Sequence, residues 1–107
     1  MAEQVIYKTP ATTLPLVDVD FTDDLPGDSA IHASTSVVTA KDAAGGDVSA
    51  TIVANTTRAG MILSADLKAG VEGQDYRVSF LAIGNTTSKP VERVIELRVR
   101  ADRIGNL

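Results

Sequence analysis

The chain is predicted to be all-β, a single Greek-key sandwich of about seven strands, and three observations carry that prediction. Apolar residues recur with a period of two along nearly the whole length and never hold a helical period for long. Clusters of Gly, Pro, Asn, Asp and Ser interrupt the alternation about every 8 to 12 residues, the spacing of turns in a sandwich. The length, 107 residues, suffices for one domain and is too short for two. Cysteine and tryptophan are absent and there are only two Phe and two Tyr, so the core must be built from Val, Ile, Leu and Ala without a disulfide between the sheets. Folding at this size buries roughly 65% of the chain's surface, which makes that core feasible and thin.

The elements follow in order. Val5 and Tyr7 mark a short edge strand that Pro10 and Thr12-Thr13 close. Pro15, Val17, Val19 and Phe21 point one way and Asp18 and Asp20 the other, ahead of the loop Asp23-Asp24-Leu25-Pro26-Gly27-Asp28. Ala30 to Ala40 is rich in Ser, Thr and Val with unclear phase, which predicts a long strand with a bulge. A turn through Ala43-Ala44-Gly45-Gly46 leads to Val48, Ala50, Ile52 and Ala54, a fourth strand ending at Asn55-Thr56-Thr57. Met61, Leu63, Ala65 and Leu67 make the fifth strand and Tyr76, Val78, Phe80 and Ala82 the sixth. The seventh runs from Val91 to Arg100, with Ile95, Leu97 and Val99 inward and Glu92, Glu96, Arg98 and Arg100 outward. The domain plan is an N-terminal arm and edge strand over residues 1–14, a sandwich over 15–100 and a C-terminal tail over 101–107.

Gly70-Val71-Glu72-Gly73-Gln74-Asp75-Tyr76 is the most specific segment. An immunoglobulin-like sandwich opens its sixth strand with a tyrosine whose ring enters the core and whose hydroxyl meets the backbone a few residues upstream. Gly70 and Gly73 allow the sharp bend before it. The Tyr76 hydroxyl is therefore expected to bond the backbone in or near residues 67 to 73.

The positions Asp20-Phe21, Leu25 to Asp28, Ile31, Asp75-Tyr76, Val78, Phe80, Glu92, Ile95, Leu97, Val99 and Arg100 together give the chain a pattern that resembles small immunoglobulin-like virion proteins of tailed bacteriophages, the fibre-tail adaptor or minor head-tail type. The resemblance covers roughly residues 7 to 100. It departs at Phe21-Thr22-Asp23-Asp24-Leu25, where an aromatic segment often containing Trp would stand. It implies a non-enzymatic structural subunit located in the virion, working in many copies through contacts with itself and other virion proteins. A second class is a carbohydrate-binding or adhesion module that meets a host-surface glycan. Sugar faces are usually met by Trp or Tyr, and Tyr7 is the one aromatic candidate.

Residue chemistry points away from catalysis. His32 is the sole histidine, and Ser29, Ser34 and Ser36 near it lack the glycine pattern of a nucleophile elbow. Asp18 and Asp20 share one face roughly 7 Å apart, yet they face outward from a half-buried strand, where carboxylates are ordinarily solvated. The expectation is no catalytic residue and no cofactor. Zinc lacks ligands, with one His and no Cys. Calcium has a weak candidate in the acidic loop, Asp20, Asp23, Asp24 and Asp28, beside Asp18. An EF-hand would need Gly at position six and Glu at position twelve, where Asp23 and Ser29 stand. The alternative for the cluster is a solubilising loop that deters edge pairing. Asn55-Thr56-Thr57 and Asn85-Thr86-Thr87 match a glycosylation acceptor and are read as turn formers.

The net charge of -4 argues against nucleic acid as a partner. No stretch approaches membrane-helix length, and the first residues lack a secretion signal, so synthesis in the host cytoplasm is expected. Residues 1 to 53 hold eight acids and two bases, and residues 54 to 107 six acids and eight bases. With the usual strand order, loops 22 to 30, 55 to 60 and 84 to 90 meet at one end. Leu81, Ile83 and Val94 then share an outer face with Arg77, Arg98 and Arg100, opposite Asp18 and Asp20. That face, together with Arg103, Ile104 and Leu107 of the tail, is the expected interface.

Overall fold

The computed structural model describes residues 4 to 100. Seven strands form two sheets: β1 (Gln4–Lys8), β2 (Leu14–Asp20), β3 (Val37–Lys41), β4 (Val53–Ala59), β5 (Ile62–Leu67), β6 (Asp75–Ile83) and β7 (Pro90–Val99), with one helical turn, α1 (Ser49–Ile52), before β4. One sheet has the order β1-β7-β6-β3 and the other β2-β5-β4. β1 runs parallel to β7, and every other pairing is antiparallel. The links β1–β2, β2–β3, β3–β4 and β5–β6 each pass from one sheet to the other.

The strongest alternation makes the longest ladder. β6 and β7 pair over nine residues, from Asp75↔Arg98 to Ile83↔Pro90. Their inner rows, Tyr76, Val78, Phe80 and Ala82 against Ile95, Leu97 and Val99, are buried. The facing sheet contributes Met61, Leu63, Ala65 and Leu67 from the β4–β5 turn and β5. Phe21 and Leu25 close the core from the loop after β2, where the Asp24 and Leu25 N–H groups both donate to the Phe21 carbonyl.

The bend before β6 is built around Tyr76. The Val71 N–H donates to the Tyr76 hydroxyl at 3.0 Å, and the ring is 6% exposed. Gly70 and Gly73 both take positive φ, +96° and +86°. Removing the hydroxyl with Tyr76→Phe is expected to cost about 1 kcal/mol. In a thermal melt that is a Tm lower by about 4–8 °C.

Several strand assignments differ from the sequence reading. In β1, Ile6 and Lys8 face inward, while Val5 and Tyr7 are exposed. Lys8 is fully buried, its ammonium donating to the Thr9 carbonyl at 2.6 Å and to the Ala69 carbonyl. Residues 4 to 8, the edge strand of the N-terminal segment, pair in parallel with β7.

In β2 a bulge between Leu14 and Val17 turns Pro15 outward, with Leu16 at φ 51°. Leu14, not Pro15, joins Val17 and Val19 against the core. The long strand expected over Ala30 to Ala40 is short. Ile31 makes one bridge to Gly84, residues 32 to 36 form a turn, and only Val37–Lys41 pairs with β6.

The fourth strand begins later than the alternation suggests. The Asp47 carboxylate accepts both the N–H and the hydroxyl of Ser49, and the Val48 carbonyl accepts the Thr51 and Ile52 N–H groups. This local hydrogen bonding closes a helical turn that the apolar pattern cannot reveal. β4 then runs through Asn55-Thr56-Thr57, and a bulge between Ala54 and Thr57 accommodates Asn55 at φ 53°. That triplet is therefore a bulged strand rather than a turn, and the loop expected at 55 to 60 shrinks to Gly60-Met61.

Candidate interaction surface

The outer face of the four-stranded sheet gathers the residues the sequence singled out. Cross-strand pairs set the rows: Val37 opposite Leu81, Leu81 opposite Glu92, Ser79 opposite Val94 and Lys41 opposite Arg77. Leu81 and Val94 are thus diagonal neighbours, and Ile83 continues the row toward Pro90. All three are partly exposed. The Ser79 hydroxyl donates to the Glu92 carboxylate.

At the β1 side, Arg98 donates to Glu96 at 2.7 Å and to the Tyr7 hydroxyl at 3.2 Å, with its guanidinium 5.9 Å from the Tyr7 ring centroid. Hydrogen bonds to Glu96 and Tyr7 raise the Arg98 pKa further above its already high value. Arg100 donates to Asp75 at 2.8 Å and to the Gln74 carbonyl, which ties the end of β7 to the start of β6. Arg103, Ile104 and Leu107 lie outside the described residues.

The outer face of the three-stranded sheet has the opposite character. Asp18 and Asp20 pair across to Ser64 and Ile62. Asp66 accepts the Leu16 N–H and the Asn55 side-chain amide. Asparagine and backbone donors hold Asp66 below the usual carboxylate range, and Thr22 does the same for Asp20. These carboxylates are ionised at neutral pH.

The acidic loop is used for structure. Asp28 accepts the Thr86 N–H at 2.6 Å, the Thr87 N–H at 3.0 Å and the Thr87 hydroxyl at 2.7 Å, so it clamps the loop after β2 onto the β6–β7 loop. Gly84 makes room for this clamp, since a Cβ there would overlap the Asp28 carboxylate and the Thr87 hydroxyl. Asp24 forms an ion pair with Arg93 at 2.6 Å, and Asp20 caps Thr22. Asp20, Asp24 and Asp28 are thus engaged separately, and among the described residues no group of three or more acidic, His or Cys side chains is placed to share a cation.

Thr87, then Thr86 and Lys89, lower the Asp28 pKa, and the sign of the consequence follows. The clamp's contribution is full above the unfolded aspartate value of about 4. It is lost as pH falls through the lower native value. The protection of the Thr86 and Thr87 amides relative to an unstructured peptide at the same pH is expected to fall over that acidic window in the wild type, and to be low already at neutral pH in Asp28→Ala.

His32 sits on the turn before β3. Its Nδ1 lies 3.2 Å from the Ser34 hydroxyl and accepts the Ser34 N–H, a local loop contact. No acidic side chain hydrogen-bonds to it among the described residues. Lys8 and the Asp28 clamp were missed by sequence reading. Neither has a local signal, since their partners are 61 and 59 residues away at the farthest. Compared with known proteins, the chain matches no family model, no curated protein and no solved structure.

Proposed function

We propose that this chain is an immunoglobulin-like Greek-key sandwich serving as a non-enzymatic, multi-copy structural subunit of a tailed-phage virion, an adaptor or decoration protein. The fold reading draws on the β1-β7-β6-β3 and β2-β5-β4 orders, the parallel first strand and the Tyr76 bend. The assembly reading rests chiefly on one observation, the unlike charge of the two outer faces. One carries Lys41, Arg77 and Arg98 among Glu92, Glu96 and the partly exposed Leu81, Ile83 and Val94; the other carries Asp18, Asp20 and Asp66. Like copies stacked face to back would bring these surfaces together.

The adhesion alternative has less to work with. Phe21, Phe80 and Tyr76 are buried, and Arg98 lies over the Tyr7 ring. The assembly reading is tested by Asp18→Lys with Asp20→Lys, both on exposed positions. The double variant is expected to fold normally and to be lost from purified particles, as measured by mass spectrometry of particle proteins. Incorporation at the wild-type level would count against face-to-back assembly.

A further inference from the structure

We propose that residues 101–107 fold back onto their own domain and close an apolar groove at the end of the sandwich where β7 finishes, with Ile104 as the anchor. The inference concerns the isolated chain and stands or falls apart from the virion reading.

The groove has a volume of about 620 Å³ and lies between the loop after β5 and the turn around α1. Val48, Ile52, Gly70, Val71 and Tyr76 line it, and Asp42 is the one charged side chain among its lining residues. Ile52 and Tyr76 are buried beneath it, while Val71 is 63% exposed at its rim. The backbone holds this shape. Ala69 and Gly70 take φ 55° and 96°, and the Val71 N–H is tied to the Tyr76 hydroxyl, so the loop cannot simply turn Val71 inward to fill the space. A groove of this size and apolarity gains by being covered.

The chain leaves the last strand at the wall of this groove. Val99 packs so closely on Gly70 that a Cβ there would stand 2.8 Å from Val99 Cγ2. The Val99 N–H donates to the Gln74 carbonyl, and the Val99 carbonyl accepts the Gly73 N–H. Residues 101–107 lie outside the described residues, and Ile104 stands four residues beyond Arg100. That gives it a reach of up to roughly 13–14 Å from the end of the strand.

The segment also has the chemistry of the groove. Ala101, Ile104 and Leu107 are apolar at a spacing of three, and Arg103 adjoins the anchor. Asp42 offers Arg103 an opposite charge, since its carboxylate accepts the Ala44 and Gly46 N–H groups through Oδ1 and stays negative at the rim. The occupant is the chain's own segment because the contact is small. Between separate molecules, one aliphatic anchor and one exposed ion pair would bind at about 1 mM or weaker. A short tether supplies an effective concentration of that same order, so the attached segment outcompetes a second copy at ordinary protein concentrations.

The chain has no cysteine, so Asn106→Cys gives the full-length protein a single site for a nitroxide label. Docking predicts that the label broadens the amide signals of Thr51 and Val71 more than those of Thr9 and Thr12, which flank the exit of β7 on the β1 side. The contrast should be unchanged by dilution, lost in Ile104→Ser and weakened in Arg103→Glu. When the labelled chain is mixed with an unlabelled, isotope-enriched one, the enriched chain should show no broadening.

Equal broadening on both sides of the exit overturns the proposal. So does a contrast that either substitution leaves unchanged. Broadening passed to the enriched chain would assign the groove to the segment of a second copy and overturn docking within one chain.

Discussion

Gly70→Ala is expected to destabilise the domain by about 2–4 kcal/mol, by two separate routes. Gly70 sits at φ +96°, where an L-residue with a Cβ is strained by about 1–2 kcal/mol. The added methyl would also stand 2.8 Å from Val99 Cγ2 and 3.4 Å from the Tyr76 ring. Val99 is fully buried at the end of β7 and cannot yield without loosening the core. Gly73, whose φ is also positive, has open space around it. Gly73→Ala should therefore show the backbone cost alone, and urea unfolding of the two variants separates strain from overlap. Equal effects would mean that Val99 accommodates the methyl.

Lys8 is expected to produce the second large effect, with a ranking that identifies its cause. Lys8→Ala leaves the Ala69 carbonyl without its donor, while the Thr9 carbonyl keeps Thr12, and opens a cavity, together about 2–4 kcal/mol. Lys8→Met keeps most of the volume and removes a desolvated ammonium, so its cost should be about 1–2 kcal/mol. Burial lowers the Lys8 pKa. Between that lowered native value and the ordinary value of a free lysine, the native state binds fewer protons than the unfolded one, so stability rises with pH across that window. Lys8→Met should lack this rise. Chemical unfolding of both proteins at neutral and alkaline pH checks it, and parallel pH profiles would show that the Lys8 ammonium is not desolvated.

These two residues also mark where the sequence was and was not legible. The bend at Gly70 to Tyr76 could be read because its parts are local: two glycines, a strand-opening tyrosine and the alternation after it. The inner rows of β5, β6 and β7 were legible for the same reason, as each alternates apolar and polar residues through most of its length. Lys8 could not be read, because Val5, Ile6 and Tyr7 fit either phase and a buried lysine contradicts ordinary patterning. Ser49 and Asp47 defeated the alternation from Val48 to Ala54 by closing a helical turn. The stretch from Ala30 to Ser36 is held largely by contacts to distant backbone, including Gly60 and Ile83.

For the candidate surface, the sequence placed Leu81, Ile83 and Val94 on one outer face and Asp18 and Asp20 on the other, as the cross-strand register has them. It could not show that Asp28 and Asp24 are committed to Thr87 and Arg93, since those partners come together only in the folded chain.

The most direct test of the structural-subunit reading is a cryo-electron microscopy map of the phage particle with this chain located in it. The account predicts several symmetry-related copies, in contact through the outer sheet faces. A particle that lacks the chain, or that holds it as an isolated copy touching nothing through those surfaces, would contradict it.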